Sequence, residues 1–424
     1  MSGQLLLCGT MNNSRLVTRP ILLISNSLSG GGAEAVARLM VTEIENSSCV
    51  LFENDARIEI SGKRIRAASK SHRGSVLFTA LVSIWRLLVV QWEKVLLHPR
   101  LSISHLEGPN FANLITAFGG PRAIFVHNTL AKSYPTKGRR DMLMRVLCRI
   151  LYRRASVIVA VSPEIKRELK EFLAPNSLNI LTLPNPIDCQ RIEANAAERY
   201  GDYRDVLCGQ PFLVSVASLT TQKNHCQMLD VFAGLLPKSD EGKALKLVLL
   251  GDGPLRGKLH DQCRRLNLAF FDAGNARYFD DDAQVYFLGF QSNPYRLLSK
   301  ARLMMLTSHW EGLPIALLEA MALGVPSVVS DCSQGIREVW NLTGKSTDCS
   351  TRSRAITTPF GVLVPSNEDS KSAQTIWEEA LQQGLSLGER RKQIIENCQT
   401  RAQDYSIDRV TSIWNRELLT LAES

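Results

Sequence analysis

Two glutamates eight residues apart, Glu311 and Glu319, stand in the stretch SHWEGLPIALLEAMALGVPSVVSDCSQGIREV (308 to 339). Pro314 has no N–H and a fixed φ, which suits the first turn of a helix. Ile315 to Leu323 is good helix sequence, and Gly324 followed by Pro326 supplies a stop. Glu311 therefore falls in the loop entering the helix and Glu319 on its second turn, about 12 Å further on in a continuous helix. That separation suits the two ends of an elongated ligand better than a pair exchanging one proton. Between them, Gly312, Leu313 and the orphan N–H groups of the helix start form a cradle for an anion, favoured by the helix dipole. Carboxylate, N–H nest, carboxylate is a layout that matches a diphosphate flanked by two hydroxyl-bearing rings.

The elements that must hold this constellation alternate along the chain. Apolar runs ILLISN (21 to 26), RLSISHL (100 to 106), AIFVHN (123 to 128), SVIVAVS (156 to 162) and NILTLPN (179 to 185) are separated by helical patterns. A second series follows: PFLVSVASL (211 to 219), LKLVLLGDG (245 to 253), VYFLGF (285 to 290), RLMMLTS (302 to 308) and PSVVSD (326 to 331). Continuous Val/Ile/Leu runs between helices read as buried parallel strands. The doubled pattern predicts an α/β chain of two doubly wound, Rossmann-like domains. The expected divisions are a loose leader over 1–18, a first domain over 19–195, a linker over 196–210, a second domain over 211–400 and a C-terminal helix over 401–424. That last helix is expected to pack back on the first domain. Two polar stretches, 269 to 284 and 341 to 359, are longer than ordinary connections.

Composition narrows the function classes. At 45% hydrophobic and 21% charged the chain is globular. The ten cysteines include no CxxC pair and no Cys/His cluster at metal spacing, which argues for a reducing, cytoplasmic setting and against a zinc site. The most apolar stretch, VLFTALVSIWRLLVVQW (76 to 92), is interrupted by Thr79, Ser83 and Arg86 and reads as a core helix, not a bilayer span.

The net charge of +9 is unevenly placed. Residues 1 to 200 hold 26 Lys and Arg against 15 Asp and Glu, and the remainder holds 24 against 26. A basic half suits an anionic membrane surface, a phosphorylated lipid or nucleic acid. Nucleic acid is disfavoured, because aromatic residues make up only 7% and form no stacking platform. KGRRDMLMRVLCRILYRRA (137 to 155) is a basic amphipathic helix with an apolar stripe of Met142, Leu143, Val146, Leu147, Ile150 and Leu151. Its arginines, among them Arg139, Arg140, Arg145 and Arg149, are either a solvated face or a surface turned to an anionic membrane or a lipid diphosphate.

The central stretch resembles the E-x7-E signature of the family 4 retaining glycosyltransferases. Ser308, Glu311, Gly312, Pro314, Glu319, Ala320, Met321, Ala322, Gly324, Pro326, Val328, Val329, Ser330 and Asp331 stand in register with it. The resemblance implies a GT-B architecture with a nucleotide sugar, expected to be UDP-linked, in the cleft between the domains. Glu311 would contact donor-sugar hydroxyls and Glu319 the nucleotide ribose, with Leu313 and Pro314 beside them. Gly31 and Gly32, in SGGGAEAVARL (29 to 39), would let the backbone approach the diphosphate. VASLTTQKNH (216 to 225) resembles the V-G-R-L-x-x-Q-K-N segment, which aligns Lys223 with the lysine that neutralises phosphate. There the usual arginine is replaced by Ser218 and the usual glycine by Ala217, and a hydroxyl cannot mimic a bidentate guanidinium.

His127, at the carboxyl end of its strand, matches a cleft histidine near the reacting sugar; His98, His105, His225 and His309 have no such placement. Asp252 and Gly253, in the G-D-G-P turn, would border the nucleotide. Seen whole, the resemblance is to bacterial polysaccharide enzymes that need no metal. It implies transfer of a hexose or N-acetylhexosamine to a glycan acceptor held on a polyprenyl diphosphate, at the inner face of the cytoplasmic membrane. The FDDD stretch (279 to 282) lies in a polar loop, not at a strand end where a metal would bind. The competing readings are a nucleotide-sugar epimerase of the same architecture and a catalytically silent scaffold, which would tolerate serine at 218.

Overall fold

A computed structural model of the 424-residue chain describes residues 19–28, 31–53, 60–69, 76–135, 138–175, 178–236, 245–276, 278–342, 354–366 and 370–423. The expected leader, 1–18, lies outside the described residues. Seven strands form the first sheet: β1 (Ile21–Ser25), β2 (Ser47–Glu53), β3 (Arg64–Ser69), β4 (Leu101–His105), β5 (Arg122–Val126), β6 (Val157–Ala160) and β7 (Ile180–Thr182). Their order is β3-β2-β1-β4-β5-β6-β7, and every pairing is parallel.

Eight strands form the second sheet: β8 (Phe212–Val216), β9 (Lys246–Leu250), β10 (Phe270–Asp272), β11 (Val285–Gly289), β12 (Leu303–Leu306), β13 (Ser327–Ser330), β14 (Ile356–Thr358) and β15 (Gly361–Val364). The order is β10-β11-β9-β8-β12-β13-β15-β14, parallel except for the β14/β15 pair. Both sheets are doubly wound, as the alternating pattern predicts. In such sheets ligands gather at the carboxyl ends of the strands, where the winding reverses. The reversal falls between β1 and β4 in one sheet and between β8 and β12 in the other.

Central strands such as β1 and β9 are buried throughout, because helices cover both faces of each sheet. Sequence pattern alone missed β2 and β3, and in the second sheet β10, β14 and β15. β2 opens on Ser47 and Ser48, and β3 is a polar edge strand carrying Arg64 and Arg66. The polar stretch 269 to 284 contains the edge strand β10, and most of 341 to 359 lies outside the described residues.

Fourteen helices are labelled here: α1 (Gly32–Glu43), α2 (Val76–Leu97), α3 (Glu107–Ile115), α4 (Arg139–Leu151), α5 (Pro163–Leu173), α6 (Cys189–Ala197), α7 (His225–Leu235), α8 (Arg256–Arg265), α9 (Tyr295–Lys300), α10 (Ile315–Ala322), α11 (Gln334–Val339), α12 (Ser370–Leu385), α13 (Arg390–Ala402) and α14 (Ile407–Trp414). Between the sheets, α6 and the short helix Tyr203–Cys208 are ordered. The chain end crosses back: the Ile407 N–H donates to the Ile187 carbonyl at 2.9 Å, and Val410, Trp414 and Leu418 are buried in one cluster with Ile21 and Leu23 of β1.

Two helices depart from their expected settings. The 76 to 92 stretch, expected as a core helix, buries only one side; Phe78, Leu81, Ile84, Trp85, Leu88 and Trp92 face outward. In α4 the predicted apolar stripe is divided. Leu151 is buried, while Met142, Leu143, Val146 and Ile150 are exposed. The sheet beneath takes only a narrow strip of each helix.

Candidate active site

The two loops flanking the winding reversal of the second sheet meet. After β8, a 3-10 turn (Thr221–Lys223) ends at Asn224, whose φ of 51° tips the chain into α7 and aims Lys223 back across the strand ends. After β12 the chain enters the loop of Glu311. The Thr307 hydroxyl donates to the Lys223 and Asn224 carbonyls at 3.0 and 3.1 Å, the His309 N–H to the Gln222 carbonyl at 2.8 Å, and the Gln222 amide to the Trp310 carbonyl at 2.9 Å. Loops laced together in this way hold side chains in fixed relation.

Their product is a buried ion pair. The Lys223 ammonium and the Ser308 hydroxyl both donate to Glu311 Oε1 at 2.6 Å, and the Glu311 side chain is only 5% exposed. Lys223 remains partly open to the cleft, so the pair presents a cation at its mouth and a carboxylate behind it.

Pro314 caps α10, as its missing N–H predicts. Gly324, at φ +66, closes the helix end; only a glycine holds that angle without strain. Glu319 lies where the helix faces α9, and its Oε1 accepts from the Tyr295 hydroxyl at 2.9 Å. Burial raises the Glu319 carboxyl to about 7, against the opposing pull of the Tyr295 hydrogen bond and the Arg38 charge. Burial and the neighbouring carboxylate together push the Tyr295 phenol up.

The first domain closes on this site. A Cβ on Gly312 would stand 1.8 Å from the His127 carbonyl oxygen, and one on Gly335 would stand 1.6 Å from the Gly312 carbonyl oxygen. The backbones of β5's end, the Glu311 loop and α11 therefore stack with no room for side chains. A Cβ on Gly32 would lie 3.2 Å from Ile315, which brings the start of α1 against the start of α10. Asn185 donates to the Leu313 carbonyl at 3.1 Å, and the backbone N–H of Gln334 donates to Glu164 at 2.7 Å. The Lys132 ammonium donates to the Cys332 carbonyl at 2.9 Å.

His127 faces a partner that sequence reasoning passed over. Its Nε2 lies 3.1 Å from Nδ1 of His105, at the end of the neighbouring strand β4, and the two rings stack. Burial lowers His127 to about 4 and holds His105 well below its ordinary value, the latter helped by His127 itself. Both rings are neutral at pH 7, so one ring N–H donates and the other ring accepts. The missed signal was positional, since both residues end adjacent parallel strands. Lys132 and Tyr295 were also missed as individual residues; Lys132 lies in the short helix Leu130–Ser133, and Tyr295 opens α9.

The G-D-G-P turn is pressed on its neighbour: a Cβ on Gly251 would meet the Ala217 carbonyl at 2.0 Å, and one on Gly253 the Leu219 carbonyl at 2.5 Å. Asp252 pairs with Arg256 at 3.1 Å, an arginine that also holds buried Asp272. Ser218 is exposed at the strand end. Gly31 is exposed at the foot of α1, where its carbonyl accepts from Ala35. Of the arginines of α4, Arg139 and Arg140 project outward. Arg145 stacks on Phe172 at 5.1 Å, and Arg149 reaches the Ala174 carbonyl at 3.5 Å. Asp280, Asp281 and Asp282 are exposed neighbours in their loop.

Comparison with known proteins decides the family. The model for "Glycosyl transferases group 1" matches residues 207–401, and that for "Glycosyltransferase Family 4" matches residues 31–191. The chain belongs to glycosyltransferase family 4.

Among curated relatives of this family 4 chain is an uncharacterized glycosyltransferase of Methanocaldococcus jannaschii, 26% identical over 51% of the chain and 49% of the relative. Another is the N-acetylgalactosamine-N,N'-diacetylbacillosaminyl-diphospho-undecaprenol 4-alpha-N-acetylgalactosaminyltransferase of Campylobacter jejuni, 28% identical over 55% of the chain and 58% of the relative. The chain thus spans about half the length of the curated relatives it matches. Among solved structures, Anabaena HepE in complex with UDP and glucose superposes with a TM-score of 0.67 at 16% identity, covering 96% of this chain and all of that one. Sucrose-phosphate synthase of Thermosynechococcus elongatus gives 0.71 at 14% identity, with the same coverage of both chains. At such identities the likeness shows the fold, which is GT-B.

Proposed function

We propose that the chain is a retaining glycosyltransferase that moves a hexose or N-acetylhexosamine from a UDP-sugar to a glycan acceptor on a polyprenyl diphosphate. It would serve surface-polysaccharide synthesis from the inner face of the cytoplasmic membrane. The observation that carries the reading is the Lys223–Glu311–Ser308 cluster at the winding reversal, with Gly312 backing onto His127 and Glu319 eight residues along.

In this reading Glu311 accepts from donor-sugar hydroxyls, Lys223 and the free N–H groups before α10 stabilise the leaving diphosphate, and Glu319 accepts from the ribose. The acceptor hydroxyl attacks from the face that the nucleotide leaves, so configuration is kept. Catalysis is electrostatic: donors fixed in advance in a cleft with little water stabilise charge as it develops on the departing oxygen. Neutral His127, fixed by His105, polarises without carrying charge. The Campylobacter relative's name supports the acceptor class, and the UDP complexes of HepE support the nucleotide.

Serine at 218 favours a second reading, a family member that binds a nucleotide sugar without transferring it. Calorimetry across UDP- and GDP-sugars, with product mass measured on membranes that supply acceptor, separates the two. Binding with transfer is expected, with Glu311→Ala losing transfer and Glu319→Ala losing mainly affinity. Transfer by both variants at the parent's rate sinks the site; binding with no product in any pairing selects the silent member.

A further inference from the structure

Helix α2 is built inside out. Its 22 residues contain three charged side chains: Arg86 is largely covered at 20% exposure, and Glu93 and Lys94 occupy the buried side at 1% and 0%. Glu93 is held there by Arg64 at 3.1 Å and Arg66 at 2.5 Å from the edge strand β3, and Lys94 by the carbonyl and side-chain oxygens of Asn113, each at 2.8 Å. The outward side carries Leu81, Ile84, Trp85, Leu88, Trp92, Val95 and Leu96, with Leu88 at 57% and Trp92 at 59% exposure. A helix that only had to cover its sheet would place these the other way round. Burying two ionisable side chains, of which Lys94 is lowered to about 7 by that burial, while leaving two tryptophans in water is unfavourable unless something covers the outer face.

That face continues onto its neighbours. Gln91 of α2 accepts from the Ala117 N–H at 2.9 Å, which places Trp92, Val95 and Leu96 beside the exposed Ile115 and Phe118. Phe118 is held at φ 62, an angle unusual for so bulky a residue, and is 66% exposed. On the other flank Phe111 of α3 packs on Tyr152 just after α4, whose Met142, Leu143, Val146 and Ile150 are exposed in turn. α2, α3 and α4 all cover one face of the first sheet, the side of Leu22, Ile24, Ile124 and Val126. Contiguous apolar surface of this kind marks an interaction site.

We infer that the outer face of α2, continued by α4, lies in the interfacial layer of an anionic lipid bilayer, with its apolar side chains inserted and α2 parallel to the membrane plane. Charge complementarity selects the occupant. The exposed side of α2 offers no acidic residue, and the patch is fringed by the exposed Arg139, Arg140, Arg153 and Arg154, with Arg64 and Arg66 half-exposed at the sheet edge. Trp85 and Trp92 are the side chains that favour the depth where headgroups meet hydrocarbon. Among the described residues no helix is long and apolar enough to cross a membrane, so the helix lies on the bilayer.

The orientation serves the cleft. Trp85 donates to the Ala68 carbonyl, next to the carboxyl end of β3, so the first half of α2 stands at the level of the strand ends that line the cleft. α4 begins at the same level, after β5. A lipid-held acceptor would then emerge beside the rim. This purpose rests on the proposed function, whereas the binding does not.

The test is flotation of the full chain with vesicles of phosphatidylethanolamine and phosphatidylglycerol, without donor or acceptor. The parent is set against the triple variant Leu81→Gln, Leu88→Gln, Trp92→Gln, with circular dichroism confirming that the variant folds. Removing three inserted side chains is expected to weaken partitioning about a hundredfold or more. It should leave transfer to a water-soluble acceptor analogue unchanged. The inference is overturned if the triple variant floats as the parent does, if the parent does not float, or if the parent is a dimer that the triple variant dissolves while neither floats. A parent that floats but transfers no sugar would overturn the proposed function and leave this inference standing.

Discussion

The two ends of the E-x7-E stretch use one residue type in opposite ways. Glu311 sits between an ammonium and a hydroxyl, each 2.6 Å from one oxygen, and is locked before any ligand arrives. Glu319 accepts from a phenol at 2.9 Å and feels the Arg38 charge, yet burial raises its carboxyl to about 7. Desolvation pulls the Glu319 carboxyl toward its protonated form. One end is a fixed electrostatic frame; the other is a titrating contact that a ligand can reset.

Breaking the fixed end should have the largest effect. Gly312→Ala would put a Cβ 1.8 Å from the His127 carbonyl, and backbone on both sides must give way. A displacement of about 1 Å at a preorganised site costs about a hundredfold in transfer, and the overpacking costs ~1–3 kcal/mol of stability. Steady-state transfer rates and a thermal melt measure the two effects. An alanine variant that transfers at the parent's rate would mean that the domains do not touch here in the working state.

The titrating end is expected to show in pH dependence. The native Glu319 carboxyl binds its proton up to about 7, whereas in the unfolded chain it loses it near 4.5. Between those values this carboxyl holds more proton in the folded chain than in the unfolded one, so its own contribution to stability falls as pH rises from about 4.5 to about 7. Glu338, also raised to about 7 by burial, adds a contribution of the same sign, whereas the buried His105, His127 and His225, all lowered, add the opposite one, so the Glu319 part is read as the difference between the parent and Glu319→Gln. Ribose hydroxyls are better accepted by the ionised form, so UDP affinity should rise up to about tenfold from pH 6 to 8 in the parent. It should stay flat in Glu319→Gln. Calorimetry at both pH values checks this; a glutamine variant with the parent's profile removes Glu319 from the ribose.

The same contrast explains what the sequence made legible. The ten long apolar runs became strands because a strand buried on both faces must be apolar throughout, and Pro314 and Gly324 bounded α10 because backbone chemistry leaves few other uses for them. Glu311 and Lys223 were readable because a long signature carried them. The partners were not. Lys132 and His105 reach the site only through the winding of the sheets, and Tyr295 meets Glu319 only because α9 packs on α10. α2 misled for a related reason: composition reports how apolar a helix is, not which side faces the sheet.

Ser218→Arg sharpens the comparison from the side of the cation. Five residues before Lys223, serine stands where the resembled family segment has arginine, and the position is exposed, so a guanidinium fits without displacing core. If the fixed end lacks one positive charge, the substitution should tighten donor binding by about threefold to tenfold, the effect of an added charge-assisted contact partly screened by solvent. The alternative is visible across the cleft. Lys132 already reaches the Cys332 carbonyl, and the charges of Lys132, Lys223 and Glu311 are all felt at that cysteine. Were Lys132 the second cation of the site, Ser218→Arg would bring no gain in the parent and would restore affinity only in a Lys132→Ala background. Donor calorimetry on the two single variants and the double variant tells the cases apart: a gain in the parent shows a site short of charge, and a gain confined to the double variant shows the missing arginine replaced from the opposite domain.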